Sequence, residues 1–175
     1  ASSIRGRRIS EPEPGAGAGA NPLRLGGFAP DLNIPRNAFA HPAGKHIMIS
    51  GQPGYGFVGG GLVIYNLETK KSAVLTHKNL YRDYSTMAIA AMPDGNLLCG
   101  TSPKGGHGTK AVHGRAALYI LDMTNFKVVW QSGPLKEAGE ILSMAAGPDN
   151  LYYCVDGGGK LLVYKVESRL HEEDV

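Results

Sequence analysis

The sequence predicts an all-β fold of about three four-stranded antiparallel blades, and three observations carry that prediction. Pro-led turns recur as HPAGK at 41–45, MPDGN at 92–96 and GPDNL at 147–151. In such turns Asp and Gly or Asn supply the side-chain hydrogen bond and the tolerance of positive φ that the chain reversal needs. Each turn is followed by one apolar run (HIMIS, LLCG, YYCV) and then by a second (GLVIYNLETKK, ALYILDMTNFK, KLLVYKVES). Glycine accounts for 25 of 175 residues, about twice the usual share of roughly 7%, which favours short strands and tight turns over helices.

Taken in order, residues 1–22 hold almost no large apolar side chain and are expected to form a disordered tail. Arg5, Arg7 and Arg8 are diluted by Glu11 and Glu13, which argues against a nucleic-acid arm, and no apolar segment follows them as a signal peptide would require. Blades are expected over about 23–75, 76–131 and 132–168. Within each, a small-residue run before the turn (RNAFA, STMAIAAM, EILSMAAG) suits a strand crowded near an axis. A fourth run, SAVL or KVVWQ, follows the polar hairpin turn in the first two units. The third unit is expected to lack it, because SRLHEEDV is polar and 169–175 reads as a tail.

The units align residue by residue. Leu62, Leu118 and Leu161 correspond, as do Tyr65, Leu121 and Tyr164. Six residues past each turn proline lie Met48, Cys99 and Cys154, so the two cysteines are expected at equivalent places in adjacent blades. Stacked sheets lie about 10 Å apart and disulfide Cα atoms within about 7 Å, so both are expected to be free, buried thiols. The strands are apolar on both faces, as a sheet covered by two neighbours requires. A β-sandwich accounts for the strand number but not for the correspondence between units.

The segments PDGNLLCGT, GGGLVIYNLETKK and GGGKLLVYKVES resemble the blades of bacterial seven-bladed propellers of the quinoprotein-like or YVTN-like kind, over about residues 36–168. The WD40 signature at the blade ends and the kelch glycine and aromatic pattern are both missing. The resemblance implies a propeller architecture and leaves the chemistry open, since such propellers serve as lyases, lactonases, dehydrogenases and plain binding scaffolds. Three blades do not close a ring. The implied partners are therefore the remaining blades of a longer polypeptide, the favoured reading, or further copies of the chain.

The net charge of +3 is too small to imply nucleic acid, and no apolar run approaches the roughly 18 residues of a membrane span. The two cysteines form no metal or redox motif, no cofactor signature is present, and nothing assigns a compartment. YGFVGGG lacks the Lys-Ser/Thr pair and the helix of a phosphate loop. A metal site of His77, His107 and His113 matches no ligand spacing.

Blade topology sorts the polar residues. Loops 51–60 and 101–115 and the links 76–85 and 132–140 are expected on one face, with the Pro-led turns on the other. That face gathers Tyr55, His77, Tyr81, Arg82, Lys104, His107, Lys110, His113 and Arg115, a funnel suited to an anionic or carbohydrate ligand. The first expectation is a ligand-binding propeller segment. The second is a carbohydrate-active enzyme performing β-elimination on uronic acids, with Arg82 or His113 neutralising the carboxylate and His77 or Tyr81 moving the proton. The third is a protein-interaction scaffold. His41 is expected at the surface and His46 half-buried in packing, while Tyr119, Phe126 and Trp130 are expected in the core.

Overall fold

A computed structural model describes residues 25–28, 32–112 and 114–166. Both expected tails, His113 and His171 lie outside the described residues. Among the described residues eleven strands form three antiparallel sheets in strict sequence order. The first contains β1 (Ile34–Ala40), β2 (His46–Gln52), β3 (Leu62–Asn66) and β4 (Ser72–Leu75). The second contains β5 (Ser85–Ala91), β6 (Leu97–Ser102), β7 (Leu118–Asp122) and β8 (Lys127–Gln131). The third contains β9 (Ile141–Ala146), β10 (Leu151–Asp156) and β11 (Leu161–Lys165). The fold is all-β, with blade-like sheets that do not close on themselves.

Turn chemistry fixes the hairpins. Asp94 Oδ1 accepts the Asn96 amide at 3.0 Å while Gly95 takes a φ of 87°. Asp149 and Asn150 reach φ values of 56° and 57°, a conformation these two short polar side chains tolerate. At the outer hairpins Asn66 Oδ1 accepts the amides of Glu68 and Thr69, and Asp122 Oδ1 that of Thr124. Phe126 sits in such a turn at φ 59° rather than in a strand, and packs partly buried on the core, edge-on to His46.

The sheets stack face to face. Met48, Leu62 and Ile64 of the first meet Ile89, Leu97, Cys99, Tyr119 and Leu121 of the second. The opposite face of the second, with Ala88, Ala90, Leu98 and Leu118, meets Ile141, Tyr152 and Cys154 of the third. The middle sheet is therefore buried on both faces, and the small side chains of β5 let β1 and β9 approach it closely.

The register corrects one sequence alignment. The first turn places four residues between the hydrogen-bonded pair His41 and His46, whereas Met92–Asn96 and Gly147–Leu151 enclose three. Counting from the proline therefore runs one residue short in the first unit. Ile49, paired with Ala38 and Val63, is the counterpart of Cys99 (Ile89 and Tyr119) and Cys154 (Met144 and Leu162). Met48 matches Leu98 and faces the other way, as a one-residue slip demands. Both cysteines are free and buried at equivalent positions.

The same register shows a bulge in each innermost strand. One extra residue interrupts the pairing between Pro35 and Asn37, between Thr86 and Ala88, and between Ile141 and Ser143. The bulged residues are Arg36, Met87 and Leu142, at the same place in all three units.

Two further expectations change. His41 is buried, because its Nδ1 accepts the Ala43 amide (3.1 Å), which leaves Nε2 to donate to the Gly95 carbonyl (2.9 Å) and tie two neighbouring turns together. Trp130 is 46% exposed on the edge strand β8. Tyr119 is core, and His46 is the half-buried packing residue expected, edge-on to Phe126.

Candidate functional site

Antiparallel order sends the β2–β3 and β6–β7 loops and the β4–β5 and β8–β9 links to one end of the sheets. There the loops bond to one another. The Gly106 amide donates to the Phe57 carbonyl (2.9 Å) and the Gly56 amide to the His107 carbonyl (3.0 Å). The Tyr55 ring lies over Gly108, where a Cβ would come within 2.6 Å of Cζ. Glycine is required at that point for close approach and for its φ of 82°.

Beneath the 103–111 loop is a cleft of about 640 Å³. Its apolar lining comes from Ile34, Met87 and Leu142, and its polar lining from Arg36, Gln52, Lys104, His107, Thr109 and Glu140. All three bulged residues of the innermost strands thus reach one space. A bulge re-aims the side chain of its extra residue, which is why these devices recur beside sites.

Two polar assemblies stand in the cleft. Lys104 Nζ donates to Glu140 Oε1 at 2.5 Å, and the Ser102 hydroxyl donates to Glu140 Oε2 at 2.9 Å. The Glu140 side chain is 12% exposed, so the pair is partly shielded from water. On the other wall Arg36 donates from Nε (3.3 Å) and Nη2 (3.0 Å) to Gln52 Oε1.

Of the residues read from sequence, Lys104 and His107 line this cleft, and Tyr55 is exposed above its roof. Lys110 and Arg82 are exposed, and Arg115 Nη1 donates to the Lys136 carbonyl in the neighbouring link. His77 is packed beneath Gly59, its Nδ1 accepting the Asp83 amide at 2.9 Å with the Asp83 carboxylate 3.4 Å away. Tyr81 packs on the core between the first two sheets, edge-on to Tyr84, and its hydroxyl donates to the Ser132 carbonyl at 2.9 Å. His77 and Tyr81 therefore brace the link between sheets, away from the cleft. Gln52 and Glu140 fall within the 51–60 and 132–140 segments assigned to this face but are not among the residues singled out there, and Arg36, a residue of β1, lies outside every loop considered. The only signal in the sequence for Arg36 is an arginine standing where the other units have Met and Leu.

Among the described residues no three His, Cys, Asp or Glu side chains are grouped to hold a metal ion, and no helix is long and apolar enough to cross a membrane. No protein-family model matches the chain, and no curated protein does.

Proposed function

We propose that the chain is a ligand-binding segment of a β-propeller whose axial cleft takes an anionic or polyhydroxylated small molecule. One observation carries the reading: the innermost strands and the glycine-rich loop converge on a single cleft with cations on both walls and hydrogen-bonding groups between them. An apolar lining with a few placed polar groups is the usual construction of a small-molecule site. Binding stands ahead of β-elimination because the His77 Nδ1 and the Tyr81 hydroxyl are already bonded to backbone partners outside the cleft. Titrating the isotopically labelled chain with neutral and acidic mono- and oligosaccharides tests it. Amide shifts concentrated in 53–61, 103–112 and Glu140 are expected. Shifts confined to the turns at 41–45 and 92–96 would refute it.

A second part of the reading concerns the third sheet. Tyr153, Val155, Leu161 and Val163 are 37%, 40%, 67% and 50% exposed. Their register counterparts in the second sheet, Leu98, Gly100, Leu118 and Ile120, are covered by the third. The open face therefore has the character of a blade surface awaiting its neighbour, which supports a larger propeller completed by further blades or by another copy. Sedimentation of the chain at increasing concentration should show self-association, abolished by Leu161→Lys with Val163→Lys. A monomer that remains fully soluble at all concentrations would count against it.

A further inference from the structure

We infer that Arg36, braced by Gln52, is a carboxylate-binding fork, and that the ligand it selects is a hydroxylated monocarboxylate: a sugar acid rather than a neutral sugar or an inorganic oxyanion. The inference rests on the cleft reading above and names its ligand class.

The bulge positions give the first argument. Three equivalent residues project into the cleft, and two of them, Met87 and Leu142, are apolar. The first unit places a guanidinium where its siblings place hydrocarbon. A packing role does not call for that exchange, because the same bulge is filled by an apolar side chain twice in this chain.

Charge pairing gives the second. Lys104 is occupied by Glu140 at 2.5 Å. Arg36 has no carboxylate partner among the described residues. Among the described residues its side-chain partner is Gln52, which is neutral and leaves the charge in place while fixing the plane of the guanidinium. Nε and one Nη2 proton point at Gln52 Oε1, so the Nη1–Nη2 edge remains open. That edge presents two parallel N–H groups, the geometry that matches a carboxylate and that a lysine cannot reproduce.

The rest of the cleft sets the other limits. The Glu140 carboxylate stands on the opposite wall, so a second anionic group on the ligand would face it unfavourably. Its oxygens keep lone pairs beyond those facing Lys104 and Ser102, and Thr109 Oγ1, whose proton goes to the Gly106 carbonyl, keeps lone pairs as well, so both accept from ligand hydroxyl groups. A phosphate or sulfate would find one free cationic edge where it needs several donors.

Calorimetric titration of the full chain with sodium D-glucuronate, D-glucose and sodium phosphate tests this. Glucuronate should bind saturably, glucose about tenfold or more weakly, and phosphate should not compete. Arg36→Met, which installs the residue of the sibling strand, should reduce glucuronate to the glucose level and leave glucose unchanged. Arg36→Lys should recover less than half of the lost binding free energy, since it restores charge without the fork. Thermal unfolding of both variants checks that the fold is intact. Glucuronate and glucose binding equally, with no effect of Arg36→Met, would overturn the fork and leave the cleft reading standing. Phosphate binding as well as glucuronate would also overturn it. Failure of all three probes to bind would overturn the cleft reading and the fork together.

Discussion

Removing one oxygen from Tyr119 asks whether the core between the first two sheets is held by shape alone or also by a buried polar link. Tyr119 on β7 is 0% exposed and Thr86 on β5 is 2% exposed, with their hydroxyl oxygens 2.7 Å apart. Tyr119→Phe keeps the ring and strands the Thr86 hydroxyl away from water, at a cost of about 1–3 kcal/mol. The Cys99 thiol reaches the same phenol, but as a weak donor and acceptor it does not replace the lost partner for Thr86. Thr86→Val leaves the phenol only the weak Cys99 thiol as a partner and should cost no more than the Tyr119→Phe change. The double variant removes both polar groups while keeping their volume, so its loss should fall below the sum of the single losses by about 1–2 kcal/mol. At this chain length each kcal/mol corresponds to roughly 2–4 °C in melting temperature. Urea denaturation followed by Trp130 fluorescence, repeated by calorimetry, measures all four corners of the cycle. Losses that simply add would show that the two hydroxyls contribute nothing to each other and that packing alone holds this interface.

Gly100→Val should destabilise by about 1–3 kcal/mol, because a Cβ there lies 2.5 Å from Ile141 Cγ2 and 2.9 Å from its Cβ in a filled interface; an unchanged urea midpoint would refute that packing. Burial pushes the thiol of Cys99 up to about 12 and that of Cys154 to about 11. Neither should react with a disulfide reagent at pH 8 until the chain unfolds, and stoichiometric reaction of the native protein would refute their placement. His46 is held below its usual value of 6.5, chiefly by burial and then by the neighbouring His41, with Glu68 opposing and Lys45 adding the smallest contribution. The unfolded chain then takes up a proton first, so stability present above about pH 6.5 is lost as the pH falls through the lowered folded value. His46→Gln should flatten the unfolding free energy over that window, and an unaltered pH profile would refute the assignment.

Much of this protein is legible in its sequence because the relevant physics is local. Asp94, Gly95, Asp149 and Asn150 announce their turns by the φ values and side-chain bonds that only a few residue types supply. Leu62, Leu118 and Leu161 open equivalent strands, as their spacing from the turns predicts. Phe126 and Trp130 show where the pattern misleads: Phe126 packs on the core from a turn rather than a strand, and Trp130, in a strand, is turned outward.

Tertiary structure decided the rest. A single additional residue between His41 and His46 reverses which face Met48 presents, and nothing in the local pattern marks it. The pairing of Lys104 with Glu140 joins loops separated by a whole hairpin and a link, and depends on how those loops settle against each other. Arg36 reaches the cleft because a bulge rotates it out of the alternation of β1, and a bulge is a property of two strands in register. Side-chain chemistry and turn preference belong to single residues and travel with the letters. Convergence of Arg36, Met87 and Leu142 on one space requires three sheets stacked face to face, which no stretch of sequence contains by itself.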